Sequence, residues 1–163
     1  MSIAAPLALH HAAWLVRDLE GTALSLKASL GVGPWHVWTI RPERGRVRGR
    51  EQPFSFRVAL ALPHDGGTGG TFELVSPLSG PSVCDEFLDE RGPGFHHACV
   101  TYASIDALRS AKAALLAEGR TAIQEASSGD SFEFAYFDFP ELGSAIEILY
   151  LDPATLGPPD ATL

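Results

Sequence analysis

Cysteine is scarce in this chain: Cys84 and Cys99 stand fifteen positions apart, with no CxxC spacing. That argues against a disulfide framework and fits a reducing, cytoplasmic setting. Basic residues are few as well, twelve Lys+Arg against twenty Asp+Glu, for a net charge of −8. Such a balance speaks against a nucleic-acid or anionic-membrane binder, because phosphate contact relies on basic surface. Long apolar runs are missing; none approaches the roughly 20 residues of a spanning helix. The opening MSIAAPLALHHAAWLV is apolar but has no basic n-region, and its histidine pair interrupts any h-region, so it does not read as a signal peptide. No Ser-His-Asp arrangement can be located from spacing. The expectation is a soluble cytoplasmic protein.

What is present is a core-forming composition, 45% apolar over 163 residues, enough for one domain or two small modules fused around a shared core. The chain says much the same thing twice. Residues 8–16 read as a strand, after which Asp18 caps a helix through Leu30. Leu19, Ala23, Leu26 and Leu30 fall on one face of it, and Gly31 and Gly33 stop it. Shifted by 86 residues, His11 maps to His97, Asp18 to Ser104 and Leu19 to Ile105, which opens a second helix ending near Gly119. Three strand-like runs follow each helix: 35–40, 54–62 and 71–76, then 121–126, 132–139 and 144–151. Each half therefore reads β-α-β-β-β. We expect a single domain built from two repeats, about 8–76 and 95–151. The connector 77–94 would hold a short helix, and the tail 152–163 would be flexible.

Histidine doublets head both repeats, His10–His11 and His96–His97. Neighbours in a strand point to opposite faces, so the members of a doublet cannot share a role. His11 shares a face with Leu9, Ala13 and Leu15, and His97 shares one with Phe95, Cys99 and Thr101. Glu73 and Glu147 lie in the middle of apolar strands, where a carboxylate is costly unless a cation or hydrogen-bond donors compensate it. A lone strand histidine is an ordinary hydrogen-bonded residue, and a lone glutamate usually points to water. Two of each, placed once per repeat, suggest one shared metal. Imidazole nitrogen and carboxylate oxygen suit Zn, Ni, Co, Mn or Fe.

LHHAAWLVRDLE, FELVSPLSGP, GPGFHHACV and GSAIEILYLD resemble the vicinal oxygen chelate superfamily of glyoxalases, bleomycin-resistance proteins and dioxygenases. The resemblance spans about residues 8–151 and is nearest to the methylmalonyl-CoA epimerase-like branch. It implies an α+β fold, with two βαβββ modules forming a curved, cup-like mixed sheet around one divalent ion. The ligands it implies are His11, Glu73, His97 and Glu147; His10 and His96 would face away. The implied activity is isomerisation, epimerisation or lyase chemistry at a carbon next to a carbonyl or thioester, through a metal-stabilised enolate. The substrate would be a small carbonyl compound or acyl thioester, and the assembly a homodimer.

Two departures bear on that activity. The epimerases resembled usually carry glutamine where Glu73 stands, whereas His/Glu/His/Glu is the glyoxalase I pattern. They also use a further glutamate from the strand corresponding to FSFRVALAL, which here contains no acid. Proton transfer then falls to the catalytic candidates Glu147 and Glu73. The alternatives are a non-catalytic small-molecule binder of the same fold and, ranked last, an extradiol-type dioxygenase.

Four further stretches have two readings each. RPERGRVRGR, residues 41–50, holds five of the twelve basic residues and reads as an exposed loop. It would either bind an acidic substrate through forked guanidinium donors or remain solvated. Of Trp35 and Trp38, one could line a pocket, though packing is the commoner use. GGTGG, residues 66–70, has no helix after it and reads as a hairpin turn rather than a phosphate loop. Cys99 falls on the ligand face and reads as a small core residue.

Overall fold

The structure is a computed structural model and describes residues 5–61 and 71–163. The glycine-rich turn read at 66–70 lies outside the described residues. The chain forms two compact units. Of the described residues, the N-terminal unit holds 11–41, 54–61, 71–96 and 158–163, and the C-terminal unit holds 42–53 and 97–157 together with 5–10. The divisions fall inside the two histidine doublets, between His10 and His11 and between His96 and His97.

In the N-terminal unit, β1 (Ala8–Leu15) leads to α1 (Leu19–Leu30) and β2 (Trp35–Ile40). Next come β5 (Ser55–Ala61), β6 (Thr71–Ser79) and α2 (Val83–Arg91). The helix begins where expected because the Asp18 carboxylate accepts the Gly21 N–H at 2.9 Å. It ends where Gly31 adopts a left-handed φ of 71°, a conformation that costs glycine nothing. Sheet order is β11 (Ala161–Thr162), β2, β5, β6, β1, with β1 parallel to β6 and the other pairings antiparallel. Trp14, Val16, Trp35, Val37, Ala59 and Leu74 take the face under Leu19 and Ala23 of α1. Trp35 is fully buried, and each large side chain so placed contributes ~1.5–3 kcal/mol.

The C-terminal unit repeats the plan. β7 (Gly94–Thr101) leads to α3 (Ile105–Ala117), β8 (Ala122–Ser128), β9 (Phe132–Phe139) and β10 (Ser144–Leu151). Ser104 caps α3 by accepting the Ala107 N–H at 3.2 Å. Here β7 is parallel to β10, and β10-β9-β8 continue antiparallel. Leu108 and Ala111 of α3 pack on Ala135, Phe137 and Ile148. The α+β plan of two βαβββ modules expected from the sequence is thus the plan observed. Among the described residues, no helix is long and apolar enough to cross a membrane.

Two segments depart from expectation. The arginine-rich stretch is not a loop: β3 (Arg44–Val47) and β4 (Arg50–Glu51) form a hairpin, and β3 pairs antiparallel with β8. It therefore extends the C-terminal unit's sheet, although in sequence it lies between two strands of the other unit. The tail does not fray throughout. β11 (Ala161–Thr162) pairs with β2, and Leu163 exchanges two backbone hydrogen bonds with Trp35 while packing on its core. The apolar terminal residue gives this short strand an anchor that composition alone did not predict.

Candidate metal-binding residues

Each unit holds one buried histidine–glutamate pair on the sheet face away from its helix. In the N-terminal unit, His11 Nε2 lies 3.1 Å from Glu73 Oε2, with the two residues only 3% and 7% exposed. In the C-terminal unit, His97 Nε2 lies 3.2 Å from Glu147 Oε2, at 0% and 6% exposure. Strand register creates both pairs in the same way. Glu73 sits opposite Ala13 on the parallel neighbour, two residues beyond His11, and Glu147 sits opposite Cys99, two residues beyond His97. Residues two apart share a face, so imidazole and carboxylate meet side by side.

The doublets divide as alternation requires. His11 and His97 face their carboxylates, whereas His96 is buried edge-on against Phe87 of α2, with ring centroids 5.2 Å apart. Cys99 is fully buried, its Sγ 3.8 Å from the Val100 carbonyl, a packed thiol as read from the sequence. These four buried residues, His11, Glu73, His97 and Glu147, are of a kind that could hold a metal ion. Nitrogen and oxygen donors of this mix fit a borderline divalent cation.

The two pairs have different neighbours. Opposite Glu147 stands Tyr136, whose ring lies 4.6 Å from that of His97; beyond it, opposite Tyr136, is Gln124. Opposite Glu73 stands Leu60, and beyond Leu60 is His36, hydrogen-bonded to the Thr162 hydroxyl at 3.0 Å. Tyr136, Gln124 and His36 were not singled out by sequence reasoning, since a residue's opposite number depends on register between distant strands. The sign available was the position of Tyr136 at the centre of the aromatic strand FEFAYFDF.

Other candidates fall elsewhere. On β5, Phe56, Val58 and Leu60 share the face of Glu73, so the face is apolar where an extra base would have to stand. Arg57 points the other way and pairs with Glu20 of α1 at 2.6 Å. That contact holds the Glu20 carboxyl below its ordinary pKa, mainly through the Arg57 hydrogen bond. Glu133 shows that a buried strand glutamate need not serve a metal. It meets Arg109 at 2.9 Å and Lys112 at 3.1 Å, both from α3. Burial pulls the Lys112 ammonium toward neutrality, but hydrogen bonds and charge from Glu125 and Glu133 outweigh it, and its pKa is raised.

The sequence pattern of the glyoxalase/bleomycin resistance protein/dioxygenase superfamily matches residues 10–136. No curated protein matches the chain. Among solved structures, methylmalonyl-CoA epimerase from Mycobacterium tuberculosis is 19% identical, with 94% of each chain covered and a TM-score of 0.58. A Streptomyces coelicolor methylmalonyl-CoA epimerase variant, in complex with 2-nitronate-propionyl-CoA, is 18% identical over 95% of this chain and 100% of its own, TM-score 0.63. A methylmalonyl-CoA epimerase in complex with methylmalonyl-CoA and ammonium is 19% identical at the same coverage, TM-score 0.62. At these identities the likeness establishes the glyoxalase-like fold.

Proposed function

Because the chain belongs to the glyoxalase/bleomycin resistance protein/dioxygenase superfamily, we propose that its two histidine–glutamate pairs share one divalent cation in a metal-dependent isomerase, epimerase or lyase. The observation that carries this reading is the recurrence of one buried pair, at one register offset, in both modules. All four side chains are buried, and a buried carboxylate beside an imidazole is costly unless a cation or hydrogen-bond donors compensate it. His11, Glu73, His97 and Glu147 would hold the ion. The metal, when bound, supplies Lewis-acid stabilisation of the negative charge left when a proton departs from a carbon next to a carbonyl. The substrate class that fits is a small carbonyl compound or an acyl thioester, in keeping with the acyl-CoA molecules held by two of the solved relatives. The protein works in the cytoplasm as a homodimer in this reading.

The chain's own residues set the rest of the mechanism. Glu147 is the preferred proton carrier, with Glu73 its counterpart; a carboxylate near the reacting carbon can take the proton and return it. The Tyr136 ring against His97 restricts how that imidazole can turn. The apolar face of β5 keeps water from the Glu73 side and offers no second base, so proton removal and return fall to the two glutamates. That same absence favours a second reading, a binding protein that holds its ligand without turning it over.

The test is solvent deuterium incorporation into 2-substituted acyl-CoA and α-keto substrates, alongside elemental analysis of the purified protein. Exchange that depends on one equivalent of metal is expected. Metal-loaded protein without exchange across the panel would count against the catalytic reading, and protein purified free of metal would favour the binding reading.

A further inference from the structure

Each module continues past its glutamate in register, and the two continuations differ in burial. In the C-terminal unit, Glu147 lies opposite Tyr136, and Tyr136 opposite Gln124; all three are buried. In the N-terminal unit, Glu73 lies opposite Leu60, and Leu60 opposite His36. Glu73 is buried, but Leu60 and His36 are only half-buried, and Thr162 beyond them is exposed. The row beside Glu147 is covered, whereas the row beside Glu73 uncovers step by step. Residues opposite one another share a face, so His36 stands on the face of Glu73, two strand spacings or about 10 Å away.

His36 is held in place on one side and uncommitted on the other. Antiparallel pairing sets Thr162 of β11 directly opposite it, and the Thr162 hydroxyl meets Nδ1 at 3.0 Å. The Trp38 ring, on the same face of β2, stands 6.1 Å away and tilted. With Nδ1 engaged and the ring flanked, Nε2 has no partner among the described residues. The charge at this edge is negative. Asp160, two residues before Thr162, accepts the Thr39 N–H at 2.7 Å through its carboxylate. Arg57 of the neighbouring strand offers no balance, since it turns to the other face and pairs with Glu20.

We propose that His36 contacts the substrate and selects carbonyl compounds that carry a hydroxyl a few bonds from the reacting carbon. The carbonyl end would lie beside Glu73, and for that end of the ligand the inference rests on the function proposed above. The carbon chain would cross Leu60 and cover its apolar surface, and the hydroxyl would meet His36 Nε2. A span of about 10 Å suits a short ligand, whose ends take a coordinate bond and a hydrogen bond with a few carbons between. A hydroxyl both gives and accepts a hydrogen bond, so it serves whichever tautomer Thr162 selects. A carboxylate in that place would approach Asp160 with like charge, and an alkyl end would leave the imidazole nitrogen desolvated and unpaired.

The experiment is calorimetric titration of the full chain, with zinc present, against 2-oxopentanoate, 5-hydroxy-2-oxopentanoate and 2-oxoglutarate, which share one chain length. The hydroxy acid should bind about three- to tenfold more tightly than the other two. His36→Ala should erase that preference, bringing the hydroxy acid and 2-oxopentanoate within about twofold of each other. His36→Phe, which keeps the bulk of the ring and loses its nitrogens, should erase it too. His36→Gln, whose amide reaches the place of Nε2, should keep most of it. A wild-type preference below about twofold, a preference that survives in His36→Ala or His36→Phe, tightest binding of 2-oxoglutarate, or no binding of any of the three would each overturn the assignment. Deuterium exchange at the carbon next to the carbonyl separates the two readings. The preference without exchange removes the catalytic reading alone, and exchange without the preference removes the His36 contact alone.

Discussion

Stripping the proposed cation from the protein should lower its melting temperature by about 5–10 °C. An ion present at about a hundredfold excess over its dissociation constant stabilises the folded state by about 2.7 kcal/mol. For a chain of this size each kcal/mol is worth roughly 2–4 °C. The apo protein should still fold, because each imidazole keeps a carboxylate at 3.1 or 3.2 Å when the ion leaves. If one ion is shared, the pairs are not independent. Glu73→Gln and Glu147→Gln, which keep shape and lose charge, should each abolish most of the metal-dependent shift, and metal content should fall from one equivalent toward none in both. The assay is differential scanning fluorimetry with and without chelator, paired with elemental analysis. A Glu147→Gln protein that keeps its full shift and its metal, or a wild type that binds two equivalents, would refute the shared site.

Other perturbations test the fold that presents these residues. Asp18→Ala removes the carboxylate that caps α1 and should cost about 1 kcal/mol, or roughly 2–4 °C by thermal melt. Leu108→Ala, fully buried between α3 and its sheet, should cost about 2–5 kcal/mol in denaturant titration, and a loss below that range would mean the cavity closes. Truncation before Pro158 removes β11 and its hydrogen bonds to β2, with an expected loss of about 2–4 kcal/mol and increased exposure of Trp35 by fluorescence. Lys112 bears on pH. Its folded pKa lies above the ordinary 10.5, so the folded state holds that proton more tightly. Its stabilising contribution is complete below 10.5 and is lost as pH rises through the folded value. Lys112→Met should therefore flatten the alkaline limb of the stability curve, and an unchanged limb would place the titration elsewhere.

Much of the fold could be read locally. Asp18, Gly31 and Ser104 marked helix ends because capping depends on residues only three or four apart. The aromatic and aliphatic runs at 132–139 and 144–151 became strands with those bounds, since alternation is also local. The hairpin at 44–51 was not legible. Arginine and glycine have loop-like preferences, and pairing was decided by the free edge of β8, a strand some eighty residues away. Leu163 was passed over for a similar reason: a short strand is held by its partner rather than by its own composition.

For the candidate site, the sequence by itself determined the identity of four side chains and which member of each doublet turns toward a carboxylate. A period of two set the members of each doublet on opposite faces and the cost of unpaired charge marked the two glutamates, while the choice of His11 and His97 came from the resemblance to the superfamily. Only the tertiary structure decided that Glu73 lies two residues beyond His11 on a parallel neighbour, that Glu147 does so beyond His97, and that Tyr136 and Leu60 are their unlike companions. Those are matters of register between strands far apart in the chain, and register is set by how whole faces bury together.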